Sequence, residues 1–160
     1  MPRKLASGTP EEWMIRAKSN LNMARQSKAE GVLCEDHCFQ AHQAAEKALK
    51  AVYQSRGLLF EFVHDIRRLI VGLEKARISV PPEVRQAAEL NSFIFETRYP
   101  DSVEPLTEDD LKAAVILAET VVRWAEKMVA RVDEPGVREK GVAYRVPKKT
   151  RKKLKSKKPR

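Results

Sequence analysis

The stretch Cys34-Glu-Asp-His-Cys-Phe-Gln-Ala-His-Gln-Ala-Ala-Glu-Lys-Ala-Leu-Lys-Ala-Val-Tyr53 constrains the fold more than any other part of the chain. Read at a helical period, positions 34, 38, 41, 45, 48 and 52 hold Cys, Cys, Ala, Ala, Ala and Val on one stripe, with spacings of four and three. Such a seam of small side chains lets a second helix backbone approach closely, as in bundle packing. The opposite face carries Gln40, Gln43, Glu46, Lys47 and Lys50, with Glu46 and Lys50 in the favourable i,i+4 order. The stretch is therefore expected to be the central helix of a helical bundle.

Helix signals recur on either side. Thr9-Pro10-Glu11-Glu12 is a capping box with proline at the first helical position, followed by Trp13, Ala17, Leu21 and Ala24 as a buried stripe, and Gly31 stands where that helix should end. The central helix should run from about 34 to 55 and stop near Gly57. Leu58 to Val63 has a strand-like composition but no second strand to pair with, so it is expected to be a loop that tucks Leu59 or Phe60 into the core. Asp65 should cap a third helix bearing Ile66, Leu69, Ile70 and Leu73. Pro81-Pro82-Glu83 should start a fourth, with Ala87, Leu90 and Ile94 inward. Thr107 to Asp110 should open a long last helix with Leu111, Ala114, Val115, Ala118, Val122, Ala125 and Val129 in the core.

These signals describe an all-α, up-and-down four-helix bundle with an additional short helix, over residues 1–134, followed by a basic tail at 135–160 that is expected to be disordered. A chain of 160 residues fills one such domain. Its longest apolar runs, such as Ala113–Ala118, are far too short to span a bilayer, and the N-terminal residues hold no secretory signal. The two cysteines lie one turn apart on one helix, which suits reduced thiols, so a cytoplasmic protein is expected. The formal charge of +9 is unevenly placed. From Pro135 onward there are 12 Lys and Arg against one Glu, for +11, which leaves 19 against 21 in the body, for −2. Lys148, Lys149, Arg151, Lys152, Lys153 and Lys155 make that tail a candidate for nonspecific RNA or DNA contact. Tyr144 is its one aromatic, which leaves no stacking platform for sequence readout.

Three pieces carry a family resemblance. Phe39-x3-Gln43-Ala-Ala-Glu-Lys-Ala-Leu-Lys-Ala51 resembles the second helix of HEPN domains. His64-Asp65-Ile66 with Leu69 and then Arg98-Tyr99-Pro100-Asp101 follow in the family's order. The resemblance covers roughly residues 10 to 131. It implies a homodimer and, as a frequent partner, a minimal nucleotidyltransferase (the MNT protein) encoded nearby. In that pairing the HEPN protein is the substrate-binding or toxin half.

The catalytic members of the family cut RNA with an arginine followed, after four to six residues, by a histidine. After Arg98 those positions hold Val103, Glu104 and Pro105. Arg56 and His64 are separated by seven residues, one too many. Without that imidazole the proton transfer for attack by a 2′-hydroxyl has no carrier in the family's manner. The resemblance therefore points to the non-catalytic branch that keeps Arg-Tyr-Pro-Asp, with no catalytic residues and no cofactor.

Arg98, Tyr99 and Asp101 become candidate ligand-binding residues, because a guanidinium fork can grip a phosphate, and Asp65 and Arg68 can extend the same groove. A purely structural role competes, with Arg98 on the carbonyls that end a helix and Asp65 as a cap. Two other functions stay in view: a toxin ribonuclease with an altered site, and a dimeric nucleic-acid-associated protein that binds through its tail. Cys34, His37, Cys38 and His42 have i,i+4 spacings that suggest a metal, but one helix cannot surround a tetrahedral ion. They read as core thiols and a polar-edge histidine, with no metal.

Overall fold

The computed structural model describes residues 8–96 and 104–131. The elements in order are α1 (Pro10–Arg25), α2 (Cys34–Ser55), α3 (Ile66–Lys75), α4 (Pro82–Arg85), a 3-10 turn (Gln86–Glu89), α5 (Leu90–Glu96) and α6 (Glu108–Ala130). There is no strand among the described residues, and no helix among them is long and apolar enough to cross a membrane. The tail at 135–160 lies outside the described residues.

α2 is the axis of the bundle, packed against α1, α6, α5 and α3. Its expected seam of Cys38, Ala41, Ala45, Ala48 and Val52 is fully buried, and so are Ala44, Leu49 and Ala51 on other sides. Small side chains over this broad arc let neighbouring helices close in on that side of α2.

Side-chain caps begin α1, α3 and α6. Thr9 Oγ1 accepts from the Glu12 amide at 3.1 Å. Asp65 caps α3 by accepting from the Arg68 amide at 3.1 Å. Thr107 and Asp110 form a reciprocal capping box at α6, with three acidic residues in its first turn. α6 has 23 residues, about 35 Å at 1.5 Å per residue. It packs against α1 as well as α2; Arg25–Glu119 (2.6 Å) and Lys18–Glu126 tie α1 to it, and Lys28–Glu108 (3.8 Å) ties the connection after α1. Exposed pairs of this kind contribute little energy each and mainly fix register.

Several expectations need correction. α1 stops at Arg25, six residues before Gly31, because Gln26 turns extended. Gly31 instead takes φ +80 in the turn before α2. Met14 is more deeply buried than Trp13, which packs at the edge of the core. On α6, Val121 and Met128 join the buried stripe, while Val115 and Val129 are only partly covered. In the 57–65 connection Phe60 and Leu58 pack on the core, while Leu59 is 58% exposed and Phe62 99%.

The expected fourth helix is broken into α4, the 3-10 turn and α5. Val84, Ala87 and Leu90 recur every three residues and are all buried. A 3-10 turn places i and i+3 on one line, so this spacing is served better by local tightening than by a straight α-helix.

Gly72 on α3 shows how closely α2 and α3 approach. A Cβ built there would lie 2.0 Å from the Tyr53 hydroxyl, which donates to the Leu69 carbonyl at 2.7 Å. Burial pushes the Tyr53 pKa up to about 12, so the phenol remains a donor. Gly72→Ala should therefore destabilise by about 1–3 kcal/mol through overpacking, despite alanine's better helix propensity. Adding Tyr53→Phe should recover part of that loss, a non-additivity readable from denaturant unfolding of the four proteins.

Candidate functional site

The polar face of α2 is enclosed at Glu46 and Lys50, while Gln40, Gln43 and Lys47 are half-buried. Glu46 is 2% exposed and Lys50 6%, and His42 one turn earlier is fully buried. The expected i,i+4 pair of Glu46 and Lys50 is thus a buried one, because the 57–65 connection and α5 cover that side of the helix. His42, Glu46 and Lys50 form a line at i, i+4 and i+8, a buried polar spine on the side of α2 away from its alanines.

Glu46 is the hub. Its Oε1 accepts from Lys50 Nζ at 2.6 Å, and His64 Nδ1 lies 3.3 and 3.2 Å from its two oxygens. Gln43 Nε2 donates more weakly to Oε2 at 3.4 Å. The Lys50 ammonium also sits over the rings of Trp13 (5.6 Å) and Phe60 (5.1 Å), which supplies cation–π attraction. Phe60 meets Trp13 and Tyr53 edge to face. The connection between α2 and α3 is therefore fastened to α2 at Phe60 through Lys50 and at His64 through Glu46.

Hydrogen bonding fixes the protons. Asn91 Oδ1 accepts from the Ile66 amide at 3.0 Å, and Asn91 Nδ2 donates to Asp65 Oδ1 at 2.9 Å. With the amide so oriented, His42 Nε2, 3.4 Å from Oδ1, must carry hydrogen. His42 Nδ1 is then the bare nitrogen in the neutral ring. It is buried without a hydrogen-bond partner, 3.8 Å from Glu46 Oε2. Burial lowers the His42 pKa, against the opposing pull of Glu46, the Asn91 amide and the His64 backbone. In His64 the order is reversed: Nδ1 faces an acceptor-only carboxylate and holds the hydrogen. Nε2 is left as an acceptor on a side chain that is 69% exposed.

Of the residues picked from sequence, Asp65 belongs to this network as both the α3 cap and the partner of Asn91. Arg68 is exposed and pairs with Glu61 at 2.6 Å. Arg68 and Glu61 border a hollow of about 160 Å³ lined also by Tyr53, Leu59, Val63, Leu69 and Gly72. Arg98, Tyr99 and Asp101 lie outside the described residues, as do the tail lysines and arginine from Lys148 to Lys155. His37 Nδ1 lies 3.4 Å from the Ala24 carbonyl, and Cys34 and Cys38 are free and buried, Cys38 with its pKa pushed up to about 12 by burial. Among the described residues no three ligating side chains converge as a metal site.

His42, Glu46, Lys50, His64 and Asn91 were missed as a group. The alanines at 41, 44, 45, 48 and 51 lie on the opposite arc of α2, so the available signal was Leu49 and Tyr53, apolar residues on the same side as Glu46.

Removing one member of a buried ion pair strands the other. Glu46→Leu should cost about 3–5 kcal/mol, because the Lys50 ammonium loses its counter-charge inside the bundle. The double substitution Glu46→Leu/Lys50→Leu should recover most of that loss. Chemical denaturation of both variants measures the difference.

Comparison with known proteins gives a consistent result. The family model for the HEPN domain matches residues 10–128. The crystal structure of TT1696 from Thermus thermophilus has a TM-score of 0.66 at 30% identity, covering 76% of this chain and 98% of that one. The structure of ST0689, an archaeal HEPN homologue, has a TM-score of 0.60 at 29% identity with the same coverage. Among curated proteins none matches. A family match across the whole bundle, together with a relative at 30% identity over nearly its full length, establishes that the chain belongs to the HEPN domain family.

Proposed function

We propose that this HEPN protein is a non-catalytic binding module. In this reading it holds a nucleotide or nucleic-acid ligand through Arg98, Tyr99 and Asp101, with Asp65 and Arg68 adjoining, and acts in the cytoplasm as a homodimer. It serves as the substrate-binding partner of a minimal nucleotidyltransferase, in a toxin–antitoxin type of pairing. The observation that carries the reading is the lack of histidine at positions 103 to 105 after Arg98. His37 and His42 are no substitute, since one lies against the Ala24 carbonyl and the other is enclosed in the bundle. The basic tail adds nonspecific, salt-sensitive contact with polyanions.

A titration of ATP or a short oligoribonucleotide into the full chain tests this. Arg98→Ala should weaken binding about 10- to 100-fold, the worth of a charge-assisted hydrogen bond. Unchanged affinity in the folded variant would remove Arg98 from the site. Deleting residues 135–160 should abolish the steeply salt-dependent part of RNA retention, whose slope is about −0.7 per phosphate on single strands. Retention by the truncated bundle would move that contact to the body.

A second reading, a ribonuclease with an altered site, is favoured by one observation. His64 presents an exposed imidazole whose Nδ1 is held by a buried carboxylate, the arrangement that orients a general base. RNA cleavage by the pure protein, lost in His64→Gln, would establish this reading in place of the first.

A further inference from the structure

We propose that His42 is an acid-operated release for the end of the 57–65 connection: on taking a proton at Nδ1 it claims the Glu46 carboxylate that now holds His64. The inference does not depend on the binding function proposed above.

The geometry leaves His42 one place for a second proton. Nε2 is committed to Asn91, and Nδ1 is buried, unpartnered and 3.8 Å from Glu46 Oε2. That oxygen is the one His64 Nδ1 approaches to 3.2 Å. A charge-assisted N–H···O bond closes to about 2.7–2.9 Å, so a protonated His42 draws the carboxylate roughly 1 Å towards itself. Lys50 keeps Oε1 occupied at 2.6 Å, and the exchange therefore happens on the His64 side.

The titratable groups acting on the ring are Glu46 from α2 itself and His64 from the connection. α5 contributes the neutral Asn91, and Asp65 at the start of α3 stands one hydrogen bond further away. Burial depresses the His42 pKa below its ordinary 6.5. The stability it contributes as a neutral ring is thus complete above 6.5 and is lost as pH falls towards the folded-state value. His64 is the residue next to Asp65, so its release loosens the α3 cap and the setting of Arg68.

Imidazole ¹⁵N and backbone NMR of the full chain from pH 8 to 5 test the proposal. As His42 Nδ1 changes from bare to protonated, the backbone order of residues 61–65 should fall while α2 and α6 keep theirs. In His42→Gln, whose amide can still donate to Asn91 but does not titrate, that order should not change with pH. The proposal is overturned if residues 61–65 stay ordered through the His42 titration. A loosening that follows the titration of His64 instead, or that persists in His42→Gln, overturns it equally. Should His42→Gln fail to fold, the wild-type titration decides alone, by whether the two transitions share a midpoint.

Discussion

The Glu46 carboxylate, enclosed in the middle of the central helix, sets a condition that its surroundings must meet. An ionised carboxylate removed from water costs several kcal/mol unless charge and hydrogen bonds are returned to it. Here they come from Lys50 one turn along and from His64 across the connection, with Gln43 adding a weak bond. Lys50 is in turn buried, and the Trp13 and Phe60 rings lie over its ammonium. One buried charge therefore fastens the connection to α2 at His64 and, through Lys50, at Phe60.

That dependence explains which parts of the fold were legible. Caps and breaks are local, so Thr9, Asp65, Pro82 and Thr107 marked the helix starts directly. The alanine and cysteine seam of α2 was readable because periodicity reports one buried face well. The burial of the opposite face was not, since Gln, Glu and Lys at helical spacing look the same whether water or protein lies beyond them. Leu49 and Tyr53, apolar residues on the Glu46 side of the helix, were the signs of cover there. The break at Gln86–Glu89 was hidden for a related reason: Ala87, Leu90 and Ile94 suit an α-helical stripe, and the three-residue spacing back to Val84 tips the local geometry towards a tighter turn.

The candidate site divides in the same way. Asp65 was identified as a cap, and the cap is there, but its second bond, to Asn91, joins residues 26 positions apart and has no local signature. Asn91 links three elements through one amide: it orients His42 on α2, accepts from the backbone at the start of α3 and donates to the α3 cap. A polar residue on a short helix behind a 3-10 turn gives no hint of this from its neighbours in sequence.

A buried ion pair is a weak source of stability compared with well-packed apolar side chains, so its value lies in what it orients. Two leucines at 46 and 50 would fill space without directing any proton. The carboxylate instead selects the Nδ1–H form of His64 and leaves Nε2 as an acceptor on the outside of the bundle. A bare Nδ1 on His42 faces the same carboxylate from within. Two imidazoles of opposite tautomer, one exposed and one enclosed, thus share one acceptor, and the connection to α3 is held by the exposed one only while the enclosed one stays neutral. That competition requires the carboxylate to be charged and out of water, which is the condition the cover of the 57–65 connection and α5 provides.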